Sequence, residues 1–229
     1  LHLLSRRQRQ MCIRDSPKDR HLYDVAFTHR SYGTKHGLDY TYERLEFLGD
    51  SVLNMIVSEY LYKQYPDYEE GKLTKLRANY VCQTALIYYS HELGLDKHIK
   101  IYGDDSKITE NEVLSITADV FESFLGAIFL DQGIEFAKDY ISKIIFPYID
   151  AKKVFFFDYK SVIKEYGDAQ EVDIEYKIID ECGVPHNKTF IISILIDGKE
   201  MGVGKGKNKK EAEQAASKQA MKKLKIQKY

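Results

Sequence analysis

Five carboxylates at helical spacing are the residues in this sequence best placed to do chemistry. Glu43, Glu46 and Asp50, in the stretch ERLEFLGDSVL, stand at i, i+3 and i+7. At about 100° per helical residue they fall within roughly 60° of one another. Taken alone, this trio reads best as a solvated helix face, because charge at helical spacing usually meets water. Phe47 argues against that reading, since a face turned wholly to water would not place a large aromatic beside the acids. Asp119 and Glu122 are harder to dismiss. They stand at i and i+3 in LSITADVFESFLGAIFL, where nearly every other position is apolar or small. A helix apolar almost all round is expected to be buried, and buried carboxylates are costly unless paired or bound to metal. No Lys or Arg lies between Lys107 and Lys138. Their partner is therefore a basic group from elsewhere in the fold, or a cation.

The elements that must position these acids can be traced along the chain. Leu45, Leu48, Val52 and Ile56 cluster opposite the first acidic stripe, which predicts a core-facing helix over about 41–64 that stops at Pro66. From about Arg20 the chain reads helical, with AFTHRSYG closing a first helix. His29 reads as a hydrogen-bonded structural residue, because no second His or Cys lies at metal-ligand spacing. Glu69 and Glu70 precede a helix expected over about 73–93, where acids complement the helix dipole. GDDSKITEN, residues 103–111, reads as an exposed loop. A helix over about 134–145 ends near Pro147, and the composition shifts from there to Phe157.

Beyond Asp158 the periodicity changes. DYKSVIKEYG predicts a short helix, and Val172, Ile174, Tyr176 and Ile178 alternate with polar residues as in a strand. Phe190, Ile192, Ile194 and Ile196 make a second strand, and Asp197-Gly198 is a hairpin signal that returns the chain as a third strand over 199–203. A last helix over about 208–224 gathers Ala212, Ala215, Ala216 and Ala220 on one side, small enough to lie close to a sheet.

The formal net charge of -1 conceals segregation, since from Lys205 onward nine Lys stand against two Glu. That local excess points to an anionic partner. The three cysteines are far apart and lack CxxC spacing, which suggests neither a disulfide framework nor a zinc site and fits a reducing cytoplasm. No transmembrane run appears. Residues 1–16 lack the order of a signal peptide. Their segment RQMCIRDS resembles translated sequencing-adapter read-through, so 1–16 are expected to be non-native or disordered.

Together these motifs resemble bacterial ribonuclease III. ERLEFLGDSVL is similar to the family signature, EEGKLTKLRA to its second motif and ADVFESFLGAIFLD to its third. DYKSVIKEY, GVPHNKTF and GKGKNKKEAEQAA resemble a double-stranded RNA-binding domain. The resemblance implies an all-helical endonuclease domain over 17–148, a linker over 149–157 and an α-β-β-β-α RNA-binding domain over 158–227. It implies a homodimer acting on double-stranded RNA, with no membrane and no nucleotide cofactor. By position, Glu46, Asp50, Asp119 and Glu122 match the metal-binding cluster, with Asp50 and Glu122 expected to matter most for catalysis. Glu43 and Glu70 match further acidic positions, and Phe47 matches the aromatic inserted into the dimer partner. Carboxylate oxygens suit Mg2+, with Mn2+ as a substitute, and such ions supply the activated water and counter-charge of phosphodiester hydrolysis.

In the second domain Lys207, Asn208, Lys209 and Lys210 match phosphate contacts at a helix start. Ser161, Glu165 and His186 match minor-groove contacts of A-form RNA. The chain departs from the family pattern at Lys164, often Gln, at Val184, often Pro, and at Asn208, usually Ser. The activity implied is a metal-dependent endoribonuclease that processes ribosomal RNA precursors and other transcripts, leaving 5′-phosphate and 3′-hydroxyl ends. A catalytically silent duplex-binding or ribosome-associated protein is the alternative, although such a protein has no need to keep all four ligands. A small-molecule phosphohydrolase would leave the RNA-binding module idle.

Overall fold

In the computed structural model, which describes residues 17–103, 109–183 and 188–226, two units separate between Phe156 and Phe157. The expectations for residues 1–16 and for His186 lie outside the described residues, as does the middle of the loop expected over 103–111.

The first unit begins with two helices where the sequence suggests one, α1 (Arg20–Ala26) and α2 (Arg30–His36). The break is a tertiary effect. Thr28 pairs with Lys100 in an isolated bridge, and the backbone N–H of His29 donates to the Lys100 carbonyl at 3.0 Å. His29 then caps α2, its Nδ1 accepting from the Ser31 N–H at 3.2 Å, so its role is indeed structural. Helix α3 (Glu43–Gln64) buries Leu45, Val52, Leu53, Ile56, Val57 and Leu61 and ends before Pro66, as its periodicity predicts.

The helix expected over 73–93 is also two, α4 (Glu70–Val81) and α5 (Gln83–Leu93), divided at Cys82, which is extended at φ -72 and ψ 156. The Cys82 carbonyl accepts from the N–H groups of Ala85 and Leu86 and so starts α5. This turn lets Tyr80 and Tyr89 enter the same core, with the Tyr89 hydroxyl donating to the Tyr80 carbonyl at 3.3 Å. Periodicity alone cannot show a one-residue kink inside a continuous apolar pattern.

Helix α6 (Glu110–Gln132) starts at a capping box formed by Thr109 and Glu112 and runs through the middle of the unit. It packs on α1, α3 and α5 and buries Ile116, Ala118, Val120, Phe121, Leu125, Ala127 and Ile128. By length and hydropathy alone this helix is apolar enough to cross a membrane, contrary to the expectation of no such run. Here the middle of the helix is covered by its neighbours, while Val113, Leu114 and Leu130 near its ends stay exposed. Helices α7 (Ile134–Ile144) and α8 (Phe146–Asp150) close the unit. Pro147 therefore opens a short helix, at a position whose missing N–H has no intrahelical partner to lose.

The stretch read as a linker is held to this unit as far as Phe156. Ile149 is fully buried. The Asn79 amide donates to the Lys153 carbonyl at 2.9 Å, and its Oδ1 accepts from the N–H groups of Phe155 and Phe156 at 2.8 and 2.9 Å. The Lys153 ammonium sits 3.3 Å from the ring centre of Tyr88, with Tyr148 and Phe155 also in reach.

The second unit follows the expected order: α9 (Tyr159–Gln170), β1 (Ile174–Cys182), β2 (Thr189–Ile196), β3 (Lys199–Gly206) and α10 (Lys209–Lys223). The strands form an antiparallel sheet in the order β1-β2-β3, with a bulge in β1 between Ile178 and Asp180. Asp197 and Gly198 both take positive φ, as a tight hairpin requires. Ile163, Ile194, Ile196, Ala216, Ala220 and Met221 form the core. Contact between α10 and the sheet is set from both sides. Ala212 and Ala216 are fully buried on the helix, whereas Ala215 is only partly so. Opposite them, a Cβ on Gly204 would fall 2.0 Å from the Ala212 carbonyl oxygen.

Asn79→Ala removes the three hydrogen bonds its side chain makes to residues 153–156 and leaves the one from the Lys153 N–H to the Tyr148 carbonyl. We expect a loss of about 1–3 kcal/mol in chemical denaturation, together with faster chymotryptic cleavage at Phe155 and Phe156. An unchanged cleavage rate would show that Asn79 does not secure this stretch.

Candidate active site and RNA-binding face

The acidic stripe of α3 turns toward α6 because two glycines let the helix backbones touch. A Cβ on Gly49 would lie 1.8 Å from the Glu122 carbonyl oxygen, and one on Gly126 would lie 2.3 Å from that of Leu45. No side chain fits at either place. Gly49 shares its face with Glu46, and Gly126 shares its face with Asp119 and Glu122, so the contact that excludes a Cβ also brings these three carboxylates together, with Asp50 beside them on the exposed flank.

Glu46, Asp119 and Glu122 are half-buried and Asp50 is exposed. Burial pushes the Glu122 carboxyl up to about 8, reinforced by the charges of Asp50, Glu46 and Asp119. Burial likewise raises Glu46 to about 7, with Asp119, Glu43 and Asp50 adding to it. Asp119 is raised by burial and held back in part by the Tyr42 hydroxyl, which donates to its Oδ2 at 3.1 Å. Among the described residues no Lys or Arg counts among the causes of these shifts. Asn54 donates to Asp50 Oδ1 at 2.7 Å.

The donor set therefore fits a hard divalent cation. It is composed of carboxylates alone, three of them partly desolvated, and among the described residues no Lys or Arg offsets their charge in the causes of these shifts. Among the described residues no three acidic, His or Cys side chains already converge on a common ion position. Glu43 is exposed and acts on Glu46 from the edge. Glu70 is exposed in the first turn of α4 and is not among the charges that act on Glu46, Asp119 or Glu122. Phe47 is 78% exposed, so the described residues of this chain do not supply the cover expected for it.

In the second unit Lys207, Asn208, Lys209 and Lys210 are all exposed where α10 begins. Asn208 is also the cap of that helix. Its Oδ1 accepts from the Glu211 N–H at 2.9 Å, and Glu211 in turn accepts from the Lys207 N–H at 2.9 Å. Ser161 is half-buried, its hydroxyl donating to Asp158 at 2.7 Å, while Glu165 is exposed on α9. Gln214 donates to the same Asp158 at 2.7 Å, and Lys160 pairs with Glu213 at 2.6 Å, so α9 and α10 are clamped together beside the lysines.

The Ribonuclease-III-like family matches residues 19–149, and the double-stranded RNA binding motif matches residues 159–224. The chain belongs to the ribonuclease III family. Ribonuclease 3 of Latilactobacillus sakei is 43% identical over 209 residues, covering 89% of this chain and 90% of the relative. Ribonuclease 3 of Anoxybacillus flavithermus is 45% identical over 206 residues, covering 87% and 86%. A solved nuclease domain of ribonuclease III from Campylobacter jejuni superposes with a TM-score of 0.54 at 35% identity, over 61% of this chain and 94% of that one.

This ribonuclease III is an endoribonuclease of double-stranded RNA, and nucleases of its family depend on a divalent metal. Sequence reasoning overlooked Gly49, Gly126 and Tyr42. A signal for the glycines was present, since a glycine inside a helix costs about 1 kcal/mol relative to alanine and implies a packing reason.

Two outcomes follow from this geometry. Gly49→Ala drives a methyl into the α6 backbone, and we expect about 1–3 kcal/mol or more of destabilisation in denaturant melts, with loss of metal-dependent cleavage. Wild-type stability would refute the close approach. Separately, a carboxyl whose folded pKa lies above its unfolded value keeps protons that the unfolded chain releases, so its contribution falls as pH rises between the two. For Glu122 that window runs from the ordinary value of 4.5 to about 8. In EDTA, the melting temperature of the parent should fall across this range relative to Glu122→Gln, and Mg2+ should restore it. Parallel profiles for the two proteins would contradict the assignment.

Proposed function

We propose that Glu46, Asp50, Asp119 and Glu122 hold Mg2+, with Mn2+ able to substitute, and that Asp50 and Glu122 are the two whose loss most damages cleavage. The observation supporting this is that Glu46, Asp119 and Glu122 are half-buried beside the Gly49–Gly126 contact, and that burial and the neighbouring carboxylates, exposed Asp50 among them, raise Glu46 and Glu122. A divalent ion, when bound, activates water near neutral pH and offsets charge on the scissile phosphate. The residues of this chain provide the anchoring charge and orientation, and Asn54 steadies Asp50 by its hydrogen bond. Glu43 and Glu70 serve RNA contact or an outer ion at the margin. The products are 5′-phosphate and 3′-hydroxyl ends, and the natural substrates include ribosomal RNA precursors in the cytoplasm.

The acting form is a homodimer in which Phe47 enters the partner subunit. Its exposure supports this, as does the Campylobacter structure, which concerns a region involved in dimer formation of that nuclease domain. Residues 17–148 form the nuclease domain and 158–227 the RNA-binding domain, and of the stretch 149–157 read as a linker, residues up to Phe156 pack with the first unit. Duplex RNA meets Ser161, Glu165, His186, Lys207, Asn208, Lys209 and Lys210. With the Asn208 side chain committed to its cap, its contribution is to present the first N–H groups of α10, while the lysines supply charge.

A long RNA duplex incubated with the protein and Mg2+ should be cut, and Asp50→Asn or Glu122→Gln should each slow cutting by about 100-fold or more. An intact duplex with the parent protein would sink the enzyme reading, whereas undiminished cutting by the variants would sink only the site. Lys209→Ala with Lys210→Ala should weaken duplex binding and flatten its log–log salt dependence by about 1 to 2. An unaltered slope would reject the phosphate role.

A further inference from the structure

Tyr42 directly precedes the acidic stripe and lies outside the carboxylate reading of the site. It is 4% exposed. Its ring packs against Ile116 and Val120 of α6, with Phe27, Ile99 and Ile101 around it. Its backbone is fixed as firmly as its ring. The Tyr42 N–H donates to the Thr28 carbonyl at 3.0 Å, and its own carbonyl accepts from the N–H groups of Leu45 and Glu46 at 2.9 Å each. The only hydroxyl proton of this immobile side chain goes to Asp119 Oδ2 at 3.1 Å. That bond joins the start of α3, which carries Glu46 and Asp50, to a carboxylate of α6.

A carboxylate on a helix can occupy several rotamers, and neighbouring acids push it away from them. A fixed donor on one of its oxygens selects one rotamer and leaves the other oxygen free of that partner. Groups that orient metal ligands in this way commonly affect affinity as strongly as about 10–100-fold. We propose that Tyr42 is a positioning residue of the metal site, holding Asp119 ready for the divalent ion and making the carboxylate set less dependent on the ion to order it. The inference rests on the proposed assignment of Asp119 as a ligand.

Tyr42→Phe keeps the ring and its packing and removes only the hydroxyl. Mn2+ binding to the 229-residue chain without RNA is measured by titration calorimetry for the parent, Tyr42→Phe, Asp119→Asn and the double variant, and each is melted in EDTA. Tyr42→Phe should raise the Mn2+ dissociation constant about tenfold, with little further effect in the Asp119→Asn background. If Asp119→Asn weakens Mn2+ binding while Tyr42→Phe does not, the positioning role is overturned and the site assignment stands. A lower melting temperature for Tyr42→Phe with unchanged Mn2+ affinity also overturns it, because that is the result of packing alone. Unchanged binding by Asp119→Asn would remove the site assignment and this inference with it.

Discussion

The structure depends on a backbone-to-backbone contact between α3 and α6. Where Gly49 meets the carbonyl of Glu122 and Gly126 meets that of Leu45, there is no room for a Cβ on either helix. Two helices in ordinary side-chain contact lie about 8–10 Å apart, a separation at which short carboxylates on facing stripes would interact weakly. Removing the side chains at the crossing brings the stripes within each other's fields. The glycine contact is therefore a packing device with an electrostatic result.

Burial and charge work against each other at this crossing, and the contrast with another acid of α6 shows how. Asp131 is only 8% exposed, yet it accepts from the N–H groups of Lys18 and Asp19, the Tyr23 hydroxyl and the Gln132 amide. Hydrogen bonds to the charged form make it a structural anchor for the start of the described chain. Among the described residues Glu122 has no such set of donors, and the charges that shift it are negative. An acid that is buried and satisfied holds a fold together, whereas acids that are buried and mutually repelling call for a cation. Only their surroundings separate the two roles.

The RNA-binding unit uses the same steric device for a different end. Glycines of β3 and alanines of α10 bring helix and sheet into close contact, and the clamp of Asp158, Ser161 and Gln214 sets α9 beside α10. Rigidity there lets Lys207, Lys209 and Lys210 present charge from a fixed base. The side chains of Ser161 and Asn208 already serve the fold at this place.

Much of this was legible in the sequence. The amphipathic pattern of α3, the apolar run of α6 with two stranded acids, the period-2 strands with their Asp197-Gly198 turn and the basic tail are local properties, and local patterns decide local structure. The breaks at Thr28 and Cys82 were not legible, because Thr28 leaves the helix to pair with Lys100 and Cys82 turns so that Tyr80 and Tyr89 can share a core. The sequence by itself determined the order of the elements, the residue types of the site and the family to which the chain belongs. Only the tertiary structure decided which acids act as a group, why two glycines bring them together and that Tyr42 reaches Asp119. Each of these is a contact between segments far apart in the chain, and periodicity carries no information about which distant backbone will lie against which.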